Sequence, residues 1–177
     1  SQLGAGTEVY VTNGLATLDL GGFSFGPEKT LYLGGMGGFG FGALANSFQV
    51  PCHTSVWHGA VQLVSHAGVG VGVAGGQFWP SYYGSTLEIA GSVSDGGKGF
   101  GLEKFKHNLL ILSGANTYGG GTTISEGYVM ASNVNALGTG PLIFNNGSFG
   151  FARAFDLSAV TLSNINGRAA MLDTCGW

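Results

Sequence analysis

The amino-acid sequence predicts an all-β fold, a single-stranded right-handed parallel β-helix (β-solenoid) with turns rich in Gly and Asn. Two observations predict this fold. Short runs of apolar and β-branched residues alternate along the chain with clusters of Gly, Asn and Ser, which is typical of strands separated by tight turns. Strands this short cannot form a stable sheet alone, so each must stack on the next turn of the chain. A plain β-sandwich is the alternative architecture.

The clearest alternation lies at residues 109–147. We expect one solenoid domain spanning residues 1–177. The predicted strands are Thr7–Val11, Leu15–Leu20, Thr30–Leu33, Ser47–Val50, Val61–Val64, Val69–Val73, Ser85–Ile89, Leu109–Leu112, Thr122–Ile124, Tyr128–Ala131, Leu142–Phe144, Ser148–Phe151, Val160–Leu162 and Ala169–Leu172. At roughly 20–25 residues a turn, the chain would form about eight levels. At about 4.8 Å a level, the stack would be about 40 Å long.

Side chains alternate between the two faces of a strand, so every second residue of a predicted strand should point into the coil. The expected interior residues are Leu18, Leu20, Leu63, Leu87, Ile89, Leu110, Leu112, Ile124, Val129 and Leu142.

The composition narrows the classes of function. Gly contributes 35 of 177 residues without a collagen period, and the hydrophobic fraction of 44% argues against disorder. Net charge is −3 with six scattered basic residues, so the chain has no electrostatic footprint for nucleic acid. No apolar run is long enough for a transmembrane helix. The charged fraction is only 8%, which gives a monomer little protection against association.

No catalytic or metal-binding pattern stands out, and we predict a non-catalytic protein without cofactor or metal. None of the nine acidic residues forms an i, i+2 pair of the kind glycoside hydrolysis would need on one strand face. His53 and His58 have an odd spacing that sends them to opposite faces of a strand. Ser113 lacks the surrounding G-x-S-x-G of a nucleophile elbow.

Two loops are interpreted as structural. The segment Gly34–Gly42 lacks the Lys and the following helix of a phosphate-binding loop, and is predicted to be a tight turn studded with aromatic residues. Residues 92–108 hold a local concentration of charge and are predicted to be a solvated loop. The charged residues there are Asp95, Lys98, Glu103, Lys104 and Lys106.

Three other features are candidate contacts. Cys52 and Cys175 are compatible with a disulfide within or between subunits, and equally with two separate thiols. Exposed aromatic residues could anchor a subunit interface or stack on sugars, although burial on the flank of the coil is an alternative. These aromatic residues are Phe78, Trp79, Tyr82, Tyr83 and Trp177. Asn146-Gly147-Ser148 fits a glycosylation sequon. Stacked amide ladders could form among the asparagines Asn116, Asn133, Asn135, Asn145 and Asn146.

A sequence motif in the central stretch points to a family. Ser113-Gly114-Ala115-Asn116-Thr117-Tyr118, then Gly120-Gly121-Thr122-Thr123-Ile124, Gly127 and Ala136-Leu137-Gly138 resemble the autotransporter-associated β-strand repeat, also called the passenger-associated transport repeat. A weaker echo of the same repeat extends over residues 42–104. The family often has Gly-x-Gly after the Lys that corresponds to Lys104, whereas this chain has Phe105-Lys106-His107-Asn108. The resemblance implies a location outside the cell or on the bacterial surface, with any export signal removed. It also implies structural turn roles for Ser113, Gly114, Asn116, Thr117, Tyr118, Gly120, Gly121, Thr122, Gly127, Leu137 and Gly138.

Three functions compete on this basis. The first is a secreted structural protein that stacks into filaments or surface matrix, because charge is sparse and neither end of the sequence resembles a polar capping repeat. The second is a passenger fragment of a surface adhesin that binds cells or glycans, as the resemblance implies. The third is a β-helical polysaccharide-active enzyme, which would need acidic residues from different levels to converge.

Overall fold

The computed structural model describes residues 4–47, 53–72, 84–152, 158 and 160–165, and the backbone of residues 171–173. Their strands are β1 (Glu8–Val11), β2 (Leu18–Asp19), β3 (Thr30–Gly35), β4 (Leu44–Asn46), β5 (Thr54–Trp57), β6 (Val61–Val71), β7 (Thr86–Ile89), β8 (Val93–Ser94), β9 (Leu102–Phe105), β10 (Leu109–Leu112), β11 (Thr122–Ile124), β12 (Tyr128–Ala131), β13 (Leu142–Phe144), β14 (Ser148–Phe151), β15 (Leu162–Asn164) and β16 (Met171–Asp173). A 3₁₀ turn covers Gly38–Gly40. Within the described ranges, no helix has the length and apolar character to cross a membrane.

The strands form two sheets, and the ladders between named strands are parallel. One sheet follows the order β1-β3-β6-β9-β11-β13-β15, with β2, β4 and β8 attached beside that path. The other follows the order β16-β14-β12-β10-β7-β5. Strands close in sequence, such as β11 and β12, belong to different sheets, and each pairs with strands one full turn away. This arrangement confirms the predicted all-β parallel solenoid and rules out the hairpins of a sandwich.

The strands stack in three columns. Column 1 contains β1, β3, the first half of β6 and β8. Column 2 contains β2, β4, the second half of β6, β9, β11, β13 and β15. Column 3 is the six-stranded sheet, extended by a parallel bridge from Phe25 to Trp57. Six strands and this bridge make seven levels in the described residues.

The seven levels of the described residues compare with the roughly eight predicted for the whole chain, and the early turns are longer than expected. Thr122 pairs with Leu102 and with Leu142, so the later turns take 20 residues each. Val61 instead pairs with Leu31 and Val93, separations of 30 and 32 residues. The early turns around Val61 therefore exceed the predicted length of roughly 20–25 residues a turn.

Several predicted strand bounds are wrong upstream. The two strands predicted at Val61–Val64 and Val69–Val73 are one strand, β6, whose first half pairs with β3 and whose second half pairs with β4. Of the strand predicted at Leu15–Leu20, only β2 is a strand in the structure. Leu15 lies in a turn, and its backbone N–H donates a hydrogen bond to Asn13 Oδ1. Residues 48–50 of the strand predicted at Ser47–Val50 lie outside the described residues.

The interior of the coil is apolar, as the alternation predicted. Every residue expected to face inward is buried to 2% exposure or less, except Leu18, which is half-buried at the first level. The core continues through all three columns with residues such as Leu31, Trp57, Val69 and Phe149.

The charged stretch at residues 92–108 is not a solvated loop, which corrects the sequence prediction. Lys98 is exposed, but Asp95 and Lys104 are each only 1% exposed. The reason is that residues 102–105 form strand β9, whose alternation turns Leu102 and Lys104 inward and Glu103 outward. A lysine at an inward position of a short strand is thereby carried into the core.

Candidate functional site

The family-like motif forms the corner that joins column 1 to column 2 at the fifth level. Asn116 is 3% exposed there, and its side chain reaches both neighbouring levels. Its Oδ1 accepts a hydrogen bond from Val93 N at 2.8 Å, and its Nδ2 donates one to Ala136 O at 2.5 Å. Buried backbone groups must find hydrogen-bond partners, and this side chain is the partner of two of them. Asn116 therefore clamps three consecutive levels together.

The aromatic residue of the motif is part of the same interior. Tyr118 is fully buried, and its hydroxyl shares a hydrogen bond of 2.5 Å with Thr122 Oγ1. Burial raises the pKa of the Tyr118 phenol well above its ordinary value. A neutral, hydrogen-bonded tyrosine in the core supports the fold and is inaccessible to a ligand.

The motif glycine Gly114 belongs to a column of glycines at the corner between columns 3 and 1. A Cβ on Gly59 would lie 1.6 Å from Lys29 O, and one on Gly91 would lie 1.7 Å from Gly59 O. A Cβ on Gly114 would lie 2.2 Å from Gly91 O. Each level thus rests directly on the backbone of the level before it, and no side chain fits between them.

Further motif residues also pack within the coil or bond to its neighbouring levels. Thr117 N donates to Val93 O, Leu137 is buried, and Ser113 Oγ donates to Glu88 Oε1. Gly120, Gly121, Gly127 and Gly138 each lie so close to neighbouring backbone or Pro141 that a Cβ would fall within 2.5 Å of it. These contacts give each of the residues named here a packing or hydrogen-bonding role in the described structure. Their assignment as turn residues of the family stays a prediction.

A second asparagine clamp was not found from the sequence. Asn46 is fully buried at the second level, where Oδ1 accepts from Gly22 N at 3.1 Å and Nδ2 donates to Thr86 O at 2.8 Å. Gly22 and Thr86 belong to the first and third levels. The amide of Asn116 therefore bonds to backbone groups, in contrast to the amide-on-amide ladder predicted for it from the sequence. Asn46, which that prediction did not include, bonds to backbone groups in the same way.

Lys104 is the most unusual polar group in the described interior. Its Nζ donates to the carbonyl oxygens of Phe105 at 2.6 Å, Lys106 at 2.5 Å and Glu126 at 3.4 Å. Burial lowers the pKa of the Lys104 ammonium to about 7, while the nearby Glu126 carboxylate opposes that shift. Lys106 has φ 66°, a value usually left to glycine, at the turn where the family often has Gly-x-Gly. From the interior of the coil, Lys104 thus stabilises a turn that lacks the glycines often found there in the family.

The lowered pKa of Lys104 predicts a pH dependence of stability. The unfolded chain would hold this proton up to about pH 10.4, so between pH 7 and pH 10 the unfolded state binds more protons than the folded state. The free energy of unfolding should therefore rise over that interval, and urea denaturation at a series of pH values measures it. Lys104→Met should abolish this rise, whereas the exposed-site variant Lys98→Met should keep it. An identical pH profile for Lys104→Met and the wild type would contradict the assignment.

Asp95 holds the loop between columns 1 and 2 in place through hydrogen bonds to its backbone. Its carboxylate accepts hydrogen bonds from the backbone N–H groups of Gly97 at 2.9 Å, Phe100 at 3.0 Å and Gly119 at 3.1 Å. These bonds, that from Gly119 foremost, lower the pKa of Asp95. The carboxylate is fully engaged in joining the fourth level to the fifth.

A shallow groove of about 330 Å³ lies on the outer face of column 2. Its lining includes one carboxylate, that of Glu103, which accepts a hydrogen bond from Ser125 Oγ. It also includes His66, whose Nδ1 accepts a hydrogen bond from Gly101 N at 3.1 Å. Glycosidase chemistry requires two facing carboxyl groups, and this lining contributes one. In the part of the chain that is described, no three His, Cys, Asp or Glu residues are grouped to hold a metal ion.

The other candidate sites lie outside the described residues. These are the cysteines Cys52 and Cys175 and the aromatic residues Phe78, Trp79, Tyr82, Tyr83 and Trp177. Their pairing, burial and contacts stay predictions.

The described surface carries exposed apolar residues that the sequence analysis did not single out. Phe39 is 95% exposed in the glycine-rich turn, with φ 52°, and Tyr10 is 61% exposed on strand β1. Tyr10 occupies an outward-facing position in the alternation of a predicted strand, and that position could have indicated its exposure. Nothing in the local sequence distinguishes Phe39 from the buried aromatic residues.

Comparison with known proteins adds one finding. Residues 109–130 match the family model of the passenger-associated-transport-repeat. This stretch covers β10, the Asn116 corner, β11 and most of β12, which is about one turn of the coil. Searches of the curated proteins and of the solved structures gave no match. The resemblance predicted from the motif is confirmed over residues 109–130, and such a repeat indicates a domain of the autotransporter passenger type.

Proposed function

We propose that this chain is a non-catalytic structural protein of the bacterial surface or extracellular space, which associates with itself by stacking solenoid on solenoid into filaments or matrix. The observation that carries the proposal is an open hydrophobic level at one end of column 2. Leu142 and Leu162 are register partners at the same inward position, yet Leu142 is fully buried and Leu162 is 49% exposed. Ile165, just beyond β15, is 58% exposed.

Open strand edges coincide with this apolar level. In the described residues β15 pairs only with β13, and at the opposite end β1 pairs only with β3. An exposed parallel edge is a template for another strand. Contact between unlike ends of one molecule does not close, so repetition of that contact forms a filament.

The opposite end of the stack is compatible with the same contact. Val9 and Leu18 point inward at the first level and are half-buried, while Leu15 is 77% exposed beside them. The edge thus offers to an incoming level apolar groups and a strand that, in the described residues, is paired on one side. The low charge of the chain adds little repulsion between copies.

The two competing functions have less support. The adhesin proposal depends on aromatic residues outside the described ranges. The enzyme proposal needs a pair of carboxyl groups, and the outer groove contributes only Glu103. Self-association therefore explains more of the described surface.

Electron microscopy with sedimentation of the purified protein tests the proposal. The wild type is expected to form fibres of uniform width. Leu162→Lys should give a folded monomer of 18.0 kDa, because a charge at the open level must be desolvated on stacking. Val134→Lys is the matched control, since Val134 is 68% exposed on a lateral turn and lies on no open level.

Three results would contradict the proposal. They are a monomeric wild type, fibres that persist in Leu162→Lys, and an equal loss of fibres in Val134→Lys. Electron micrographs recorded in the presence of reductant test whether the cysteines pair between subunits. Fibres lost on reduction would place a disulfide between subunits.

A further inference from the structure

Two tyrosines from neighbouring levels form a stacked pair on the outer face of column 1. Tyr10 on β1 is the register partner of Tyr32 on β3. Their ring centroids are 4.5 Å apart and the ring planes differ by 5°. Aromatic pairs in proteins have ring centroids about 4.5–7 Å apart, so this pair lies at the short end of that range. The parallel register therefore places the two phenol rings face to face, with both hydroxyls directed at Glu8.

Both phenols share one carboxylate. Tyr10 Oη donates to Glu8 Oε2 at 3.0 Å, and Tyr32 Oη donates to Glu8 Oε1 at 3.1 Å. These hydrogen bonds raise the pKa of Tyr10 and of Tyr32, so both phenols keep their protons at neutral pH. Oxidation of a protonated phenol requires that a proton leave with the electron. Glu8 provides an acceptor already bonded to each of those protons.

The pair is also accessible. Tyr10 is 61% exposed, and Glu8 is exposed beside it. An oxidant that takes one electron at a time can therefore reach the rings directly. Among the other tyrosines in the described ranges, Tyr118 is fully buried, and Tyr128 pairs with Leu109 and Ser148 in its ladder, neither of which is a tyrosine.

We propose that Tyr10 and Tyr32 are a site of oxidative cross-linking, at which a peroxidase-type oxidant with hydrogen peroxide joins the two rings as dityrosine. Each phenol loses one electron to the oxidant and one proton to Glu8, which passes the protons to solvent. The two tyrosyl radicals couple through a ring carbon beside each hydroxyl, and one carbon–carbon bond forms. The hydrogen on each coupled carbon then moves to the oxygen as the rings regain aromaticity. The pair loses two hydrogen atoms in total, and one hydrogen peroxide becomes two waters.

The position gives the cross-link a structural consequence. β1 is an edge strand, held in the described structure by β3 alone. A covalent bond from Tyr10 to Tyr32 would tie the first level to the second at the end that has the fewest partners. Closing a chain loop in this way restricts the unfolded state, as a disulfide does.

Peptide mapping after oxidation tests the proposal. The folded protein is treated with peroxidase and limiting hydrogen peroxide, then denatured and digested with trypsin. Cleavage after Lys29 separates Tyr10, in residues 1–29, from Tyr32, in residues 30–98. We expect these two peptides to appear joined, at their summed mass less two hydrogens, with dityrosine fluorescence. Fragment spectra then distinguish Tyr32 from Tyr82 and Tyr83 in the second peptide.

Variants and a denatured sample sharpen the test. Tyr10→Phe and Tyr32→Phe should each abolish the joined peptide, and Tyr128→Phe should leave its yield unchanged. Glu8→Gln should slow its formation several-fold, because it keeps the polar contacts but removes the proton acceptor. The proposal is overturned if oxidation yields only cross-links between separate molecules, or if protein unfolded in urea joins Tyr10 to Tyr32 as efficiently as folded protein. An unchanged rate in Glu8→Gln would overturn the role of the carboxylate.

Discussion

Replacing Gly91 by alanine is expected to lower the free energy of unfolding by about 3 kcal/mol or more. Inserting a methyl group into a closely packed region costs about 1–3 kcal/mol, and the cost is highest where the neighbouring atoms belong to the backbone and can move least. The added Cβ would lie 1.7 Å from Gly59 O and 2.4 Å from Gly59 C. Relief would require the third and fourth levels to move apart at this corner. Urea denaturation followed by far-ultraviolet circular dichroism measures the loss.

Gly14→Ala is the matched control for this prediction. A Cβ at Gly14 would meet no atom within 4 Å. Its free energy of unfolding should therefore change by less than about 1 kcal/mol, the range reported for unstrained Gly-to-Ala changes. Equal stability of Gly91→Ala and Gly14→Ala would show that the levels do not rest on one another at the glycine corner.

Replacing Asn116 by alanine is expected to cost about 2–6 kcal/mol, because an unsatisfied buried donor or acceptor costs about 1–3 kcal/mol and this change leaves one of each. The stranded groups are the N–H of Val93 and the carbonyl of Ala136. The loss should appear as a lower urea midpoint with an unchanged fold.

Asn135→Ala is the control for the Asn116 variant. Asn135 is exposed, and it takes part in the corner through its backbone carbonyl, which accepts from Asn116 N and survives the substitution. The free energy of unfolding of Asn135→Ala should stay within about 0.5 kcal/mol of the wild-type value, as for most surface changes. If Asn116→Ala were no less stable than Asn135→Ala, Asn116 could not be a clamp between levels. Asn46→Ala repeats the test at the second level and should fall in the same range as Asn116→Ala.

The later turns of the coil could be predicted from the sequence, whereas the early turns could not. Strands β10 to β14 have the bounds predicted for them, because each is a short apolar run closed on both sides by Gly, Asn or Ser. Their turns have nearly equal lengths, so one repeat predicts the next. Around β6 the separations are 30 and 32 residues, and local pattern does not indicate which residues pair.

The polar interior was missed for a related physical reason. Lys104 and Asp95 were assigned to solvent by their charge, since lysine and aspartate are almost never fully buried without partners. Here the partners are backbone groups from other levels, such as Glu126 O and Gly119 N. Such partners become visible only when the register between levels is known. The same limit applies to the Tyr10–Tyr32 stack, which pairs residues of consecutive levels.

The most direct test of the stacked parallel register is nuclear magnetic resonance spectroscopy of cross-strand contacts at Thr123. The structure pairs Thr123 with Glu103 on one side and with Ile143 on the other, each in parallel orientation. We therefore predict nuclear Overhauser effects from the backbone protons of Thr123 to those of residues around 103 and 143. Contacts instead to residues 128–131 in an antiparallel hairpin would contradict the solenoid and favour a β-sandwich.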